Sequence, residues 1–304
     1  MIPCRRPVTI LRSNITPDLP EVNVVSRVAL GIGSTDNEEM KAPWQRRIER
    51  AEELAREHPF AKEMLGFYVH LVRFQQDLYN KLRKSDAPGA QPASIAGALR
   101  PPELSKLIPA FAAFLSMVEA RGPEKLSKLS RGLRGQSEEL WSDLLNSCWT
   151  MHSPSDTQGL LARAFLQPYA EFLRSSTPSQ VGGSAPAICP FCRRKPGLGV
   201  MRQRGDGASR SLICSFCLAE WEFRRIVCPA CGEENSGKVP VYVTPDFDYI
   251  RIECCDSCKT YLKTVDLTKN GLAEPVVDEI ASAPLDLWAQ EHGYSKLELN
   301  LIGM

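Results

Sequence analysis

Histidine is scarce in this chain, with only His58, His70, His152 and His292 in 304 residues. No Ser/His/Asp or Cys/His constellation can be assembled around them, which argues against hydrolytic or nucleophilic catalysis. His58 and His70 lack a second ligand or carboxylate at matching spacing and read as surface or packing residues. Charge of one sign is missing too: 37 Lys/Arg stand against 36 Asp/Glu, a formal net charge of +1. That balance sets up no whole-chain basic field for nucleic acid. Long apolar runs are absent as well. The longest, Leu107 to Val118 (LIPAFAAFLSMV), is 12 residues, against the roughly 20 that a membrane-spanning helix needs. Arg5-Arg6 resembles a twin-arginine export signal, but the residues that follow are polar and charged with no apolar core, so no signal peptide is read. Gly31-Ile32-Gly33-Ser34 lacks the further glycine and the following helix of a dinucleotide loop,. The expectation is a soluble, cytoplasmic protein without enzymatic activity.

Cysteine, by contrast, is plentiful. Eight of the 11 fall into four Cys-x-x-Cys pairs, Cys189/Cys192, Cys214/Cys217, Cys228/Cys231 and Cys255/Cys258. Two such turns supply the four thiolates of one tetrahedral zinc or rubredoxin-type iron site, so four turns make two sites. Between Cys192 and Cys214 lie 21 residues, between Cys231 and Cys255 lie 23, and between Cys217 and Cys228 only 10. The longer stretches hold a hairpin that returns the chain to its start, which pairs the knuckles sequentially: Cys189, Cys192, Cys214 and Cys217 in a first site, Cys228, Cys231, Cys255 and Cys258 in a second. A crossed pairing is the alternative, and a disulfide framework would require an oxidising compartment. Gly232, after Cys228-Pro229-Ala230-Cys231, is free to take positive φ and let backbone amides turn toward sulfur. Sites closed by four protein thiolates leave no position for water or substrate, unlike catalytic zinc. They act as structural staples or, with iron, cycle one electron.

The chain divides into a flexible arm at 1–40, a helical domain at 41–175, a linker rich in Ser, Gly and Pro at 176–187, and metal modules at 188–222 and 223–304,. Helical periodicity is clearest in Phe60, Met64, Phe67, Leu71, Phe74 and Leu78, after a break at Pro59,. Further helices are expected at Pro102 to Ala120, at Ser137 to Thr150 with Leu140, Trp141, Leu144 and Leu145 on one side, and at Asp156 to Arg174, where Pro168 should kink or split the helix,. Strands are expected at Leu198 to Arg204, Ser209 to Cys214, Val239 to Val243 and Tyr249 to Glu253,. A closing helix follows at Ala273 to His292, stopped by Gly293,. Cys4 and Cys148 read as an exposed and a half-buried free thiol,.

The strings Cys189-Pro-Phe-Cys192, Leu212-Ile-Cys214-Ser-Phe-Cys217-Leu-Ala-Glu-Trp221, Arg225-Ile-Val-Cys228-Pro-Ala-Cys231-Gly and Cys255-Asp-Ser-Cys258-Lys-Thr-Tyr261-Leu-Lys263 closely resemble the formate dehydrogenase accessory protein family, FdhE. Arg46-Arg47 and Ala55-Arg-Glu-His-Pro59 resemble it more loosely. The resemblance implies an α+β protein, an all-α N-terminal domain followed by two small rubredoxin-like or zinc-ribbon-like modules and a C-terminal helix. It implies a non-catalytic cytoplasmic maturation factor whose partner is the catalytic subunit of an exported respiratory formate dehydrogenase. It also implies two metal ions, iron in the cell with zinc as the alternative, on the eight paired cysteines. Cys254 departs from the pattern by adding a vicinal thiol, with Cys255 kept as the ligand because Cys254 to Cys258 would be Cys-x-x-x-Cys. The alternatives are a rubredoxin-like electron carrier or a zinc-ribbon nucleic-acid binder using Arg193-Arg194-Lys195 and Arg224-Arg225. Residues 189–270 contain 13 Lys/Arg and 10 Asp/Glu, an excess that eight thiolates holding two divalent ions would cancel, so no nucleic acid partner is expected.

Overall fold

The structure, a computed structural model, describes residues 8–10, 43–85, 94–95, 98–99, 104–150, 157–175 and 186–303. Cys4, Arg5-Arg6, the Gly31–Ser34 segment, His152, and all of the linker except Pro186 and Ala187 lie outside the described residues, as does the expected arm apart from Val8–Ile10.

Helices make up the described part of the chain between residues 43 and 175, save for two two-residue strands. In α1 (Pro43–Glu57) Trp44, Ile48, Ala51 and Leu54 fall on one buried stripe, the spacing of a helix with a single apolar face. The chain turns at Pro59–Ala61 and re-enters α2 (Lys62–Ser85). There Phe67, Leu71 and Leu78 of the stripe expected from periodicity are buried, and the buried face is wider than that stripe. Leu65, Tyr68, Leu71, Val72, Gln75 and Leu78 are buried, Met64 and Phe74 are only partly covered, and Phe60 is 46% exposed. The reason is that α2 packs against both α1 and α6 (Thr157–Ser175), so two neighbours decide its inner face. The short strands β2 (Ser94–Ile95) and β3 (Ala98–Leu99) pair with each other. They precede α3 (Leu104–Arg121), α4 (Glu124–Arg134) and α5 (Glu138–Thr150). Helix α4 was not expected. It is amphipathic but largely polar, and Ser130 anchors it by donating to the Leu115 carbonyl of α3 at 2.8 Å. In α5 Trp141, Leu145 and Cys148 are buried while Leu140 is 51% exposed.

Pro168 does not split α6, which runs unbroken from Thr157 to Ser175. A proline inside a helix removes the amide that would bond the carbonyl four residues earlier, here Ala164. Gln75 of α2 supplies the missing donor, its Nε2 lying 2.7 Å from the Ala164 oxygen. A buried glutamine on one helix thus satisfies the gap that proline leaves in the next.

The chain builds one larger sheet in the order β1 (Val8–Ile10), β7 (Val241–Thr244), β8 (Phe247–Cys254), β9 (Thr260–Asp266), β4 (Pro196–Arg204), β5 (Gly207–Cys214), β6 (Glu220–Glu222), with β10 (Ser295–Lys296) also on β9. The first knuckle leads into the hairpin β4 (Pro196–Arg204) and β5 (Gly207–Cys214), and β6 (Glu220–Glu222) adds to β5. The third knuckle, Cys228/Cys231, leads into β7 (Val241–Thr244), β8 (Phe247–Cys254) and β9 (Thr260–Asp266), all antiparallel. The two ribbons join edge to edge where β4 runs parallel to β9, Gly199 facing Thr264. A Cβ on Gly199 would sit 2.3 Å from the Thr264 Oγ1, so glycine is what lets the seam close. From the other end of the chain, β1 (Val8–Ile10) adds in parallel to β7.

The expected closing helix is two helices, α7 (Pro275–Ala281) and α8 (Ala283–Glu291), with Gly293 at φ +80° ending the second. Pro284 has no amide for the Ile280 carbonyl, and the chain breaks at Ser282,. The break opens a buried polar nest. Lys263 of β9 reaches Asp286 at 2.5 Å and Glu279 at 3.1 Å, and Lys296 of β10 (Ser295–Lys296) reaches Asp286 at 3.0 Å and pairs with Glu279. Tyr261 donates to Asp286 at 2.8 Å and Asn300 to Glu279 at 2.9 Å. Opposite charges and further donors together meet the requirement for burying ions.

Ion pairs also bind the helices to the sheet side. Arg50 of α1 closes on Asp278 of α7 at 2.6 Å, and Tyr249 of β8 donates to the same carboxylate at 2.7 Å. Arg163 of α6 is fully buried and pairs with Glu298 at 3.2 Å while donating to the Leu299 and Asn300 carbonyls. The helical core is continuous with Phe191, Phe216, Trp221 and the first knuckles, whereas Ile250, Ile252, Tyr261, Leu285 and Ala289 form a separate core behind the second pair.

Candidate metal centres

The four knuckles occupy turns at the ends of these ribbons, and they come together in two groups. Cys189, Cys192, Cys214 and Cys217 form one, Cys228, Cys231, Cys255 and Cys258 the other, with the sulfurs of each group all within 4.8 Å of one another. The sequential pairing expected from the loop lengths is the one observed, and the crossed pairing is not. In the first group Cys189 and Cys217 are 3.6 Å apart and Cys192 and Cys214 3.3 Å. In the second, Cys228 and Cys258 are 3.7 Å apart and Cys231 and Cys255 3.6 Å. A tetrahedral ion with metal–sulfur bonds of about 2.3 Å sets its sulfurs about 3.8 Å apart, whereas a disulfide needs about 2.05 Å. All eight are free thiols, at separations that fit tetrahedral coordination.

Every knuckle has the same backbone solution. The residue after its second cysteine lies in the left-handed region: Arg193 at φ 63°, Leu218 at 52°, Gly232 at 79° and Lys259 at 56°. Only Gly232 was foreseen from residue type. The other three carry side chains in a conformation that costs them about 1–2 kcal/mol, and the turn requires it in all four places. Each turn is closed by the first cysteine's own amide, which donates to the carbonyl five residues on: Cys189 to Arg194, Cys214 to Ala219, Cys228 to Glu233 and Cys255 to Thr260, at 2.8–2.9 Å. Inside the turn, amides point at sulfur. Phe191 N lies 3.4 Å from Cys189 Sγ, Phe216 N 3.3 Å from Cys214 Sγ, and Ala230 N 3.4 Å from Cys228 Sγ. Such amide donors offset thiolate charge around a metal, and the donor set, all sulfur and fourfold, suits zinc or iron.

Electrostatics within the groups agrees. Hydrogen bonds from Cys192, Cys214 and Cys217 hold the Cys189 thiol far below the usual range, while burial pushes Cys214 up. Four thiols crowded in one place favour one charge and resist a second, and a cation relieves that conflict. In the second group burial raises Cys255 to about 12. Burial also opposes ionisation of Cys258, yet hydrogen bonds from the Thr260 side chain and backbone and from Cys231 and Cys255 bring it down to about 7. Thr260 Oγ1 lies 3.0 Å from the Cys258 sulfur. Its part was not legible in advance, because a threonine two residues past a knuckle carries no signal of its own.

The remaining cysteines stay out of both groups. Cys254, the last residue of β8, is fully buried in the core behind the second centre. Cys148 is 4% exposed, more buried than expected, with its thiol 3.8 Å from the Gly159 carbonyl. His58 is half-buried against Phe247, with ring centroids 4.9 Å apart, and His292 stacks on Trp288 at 4.2 Å.

Residues 188–225 match the family described as "FdhE, central domain" and residues 226–302 the one described as "FdhE, C-terminal domain". A protein named FdhE homolog from Aquifex aeolicus is 40% identical over 116 residues, which span 38% of this chain and 41% of that protein. Protein FdhE of Escherichia coli O1:K1 is 28% identical over 277 residues, 86% of this chain and 88% of its own length. The crystal structure of the FdhE protein from Pseudomonas aeruginosa superposes with a TM-score of 0.61 at 24% identity, covering 85% of this chain and 94% of that one. The fold is therefore shared along most of its length.

Proposed function

Since this chain belongs to the FdhE family, we propose that it is an accessory factor in the maturation of a respiratory formate dehydrogenase, binding the catalytic subunit in the cytoplasm before export. It catalyses no reaction of its own. One observation carries the non-catalytic part of this reading: both cysteine groups are complete fourfold donor sets, with no protein position left open for water or substrate. The eight paired cysteines hold two metal ions, iron in the cell or zinc in its place. When bound, iron supplies one-electron exchange without change of ligands, and zinc supplies only structure.

The arrangement favours a docking scaffold over a nucleic-acid binder. Arg194, one of the basic residues beside a knuckle, is 3% exposed and committed to the protein interior. Arg202, Arg204 and Arg224 pair with Glu220, Glu222 and Glu234. Arg193, Lys195 and Arg225 remain exposed, three cations where a phosphate-tracking site uses about six or more,. No described helix is long and apolar enough to cross a membrane. The test is capture of the formate dehydrogenase catalytic subunit by the tagged, metal-loaded protein, together with formate oxidation in a deletion strain. Co-purification and loss of activity support the reading. Metal-loaded protein that never captures the subunit, in a strain that still oxidises formate, overturns it.

A further inference from the structure

The two centres share one backbone design and differ in what surrounds it. The third position of each knuckle is phenylalanine in the first centre, Phe191 and Phe216, and is Ala230 and Ser257 in the second. Phe191 is 8% and Phe216 1% exposed, and both belong to the core that extends from the helices. The Trp149 ring of α5 meets Phe216 edge-on at 5.5 Å, and the Arg194 guanidinium covers its other side at 4.1 Å. Ala230 and Ser257 are exposed, as are Gly232, Asp256 and Lys259 around them. The sulfurs follow suit. In the first group Cys189, Cys214 and Cys217 are fully buried and Cys192 is half-buried; in the second Cys228 and Cys255 are buried, Cys258 is half-buried and Cys231 is exposed.

We infer that the two centres are functionally unequal: the first is a permanent part of the folded core, and the second is an exchangeable centre whose ion is reached by external thiol or chelating ligands through Cys231. The inference rests on the reading that both groups hold metal. Replacement of a ligand at a closed tetrahedral ion requires an incoming donor to approach as one sulfur leaves. An exposed sulfur at a turn without a bulky side chain permits that approach. A sulfur sealed beneath aromatic rings does not, and access of this kind governs how readily a bound ion is lost. The consequence is a protein that keeps its fold around one ion while the other is open to a partner's thiol or to exchange between zinc and iron.

The experiment uses the full-length protein loaded with zinc and a chromogenic pyridylazo chelator in excess, with release followed in time. Two equal phases are expected, the second slower than the first by about tenfold or more. N-ethylmaleimide added during the fast phase should label the peptides carrying Cys231 and Cys258 before those carrying Cys192 and Cys214, as read by mass spectrometry. Phe191→Ala, which touches no ligand of the second centre, should speed the slow phase and leave the fast one unchanged. Two ions released at one shared rate, or labelling that begins at Cys192, would overturn the inference while leaving the metal reading intact. Protein that takes up fewer than two ions would overturn both.

Discussion

The guanidinium of Arg194 lies over the ring of Phe216 at 4.1 Å and donates to the backbone carbonyls of Cys148 and Trp149. One side chain thus ties the turn after the first knuckle to the end of α5. The planar group stacks and donates at once, which lysine cannot do. Both Arg194→Met and Arg194→Lys should lower stability by roughly 1–3 kcal/mol, because a buried carbonyl loses its donor. Urea unfolding with metal present measures this, and a lysine variant of wild-type stability would show that stacking and the planar fork contribute nothing.

The seam between the two ribbons depends on Gly199. Alanine there meets Thr264 Oγ1 at 2.3 Å and its Cβ at 3.2 Å, and a β-branched residue in a strand cannot easily move aside. Gly199→Ala should cost about 1–3 kcal/mol by overpacking. Adding Thr264→Ala, which clears the space, should recover much of the loss. The coupling is read from thermal unfolding of both single variants and the double variant, and simple additivity would mean that the strands do not approach as closely as described.

Glu279 should govern part of the acid sensitivity. Burial alone would raise its pKa, but Lys263 and Lys296 outweigh burial and hold it well below the ordinary glutamate value of 4.5. A carboxylate with a depressed folded pKa stabilises the protein fully above its unfolded value and loses that contribution as pH falls from 4.5 toward the lowered one,. Between those limits stability should fall more steeply for the wild type than for Glu279→Gln, which is less stable near neutrality. Denaturant titrations across that range, made with zinc in excess, measure both slopes. Equal slopes would remove Glu279 from the account.

The two cysteine groups were largely legible in the sequence because cysteine spacing encodes which turns the loops bring together, and the eight grouped sulfurs are the eight paired ones. Three of the four left-handed turns were not, since Arg193, Leu218 and Lys259 are residues that seldom adopt that conformation. Pro168 signalled a break that Gln75 prevents through the Ala164 carbonyl, 89 positions away along the chain, a contact no local pattern contains. The inner face of α2 is wider than its apolar stripe for a related reason: periodicity marks Phe67, Leu71 and Leu78, and here Tyr68 and Gln75, the latter donating to the Ala164 carbonyl, lie on the buried side as well. Lys263 and Lys296 carry no signal of their buried role in the sequence, because the two acids that meet them are brought there by the break at Ser282. The parallel joint of β4 to β9 depends on tertiary assembly, and only the close approach at Gly199 leaves a trace in residue type.

The central claim is that the eight paired cysteines close around two ions, and native mass spectrometry of protein purified anaerobically from its own cells tests it most directly. The predicted mass is that of one polypeptide with two bound ions and the corresponding thiol protons lost. A mass showing no metal, one ion only, or sulfurs joined as disulfides would contradict it.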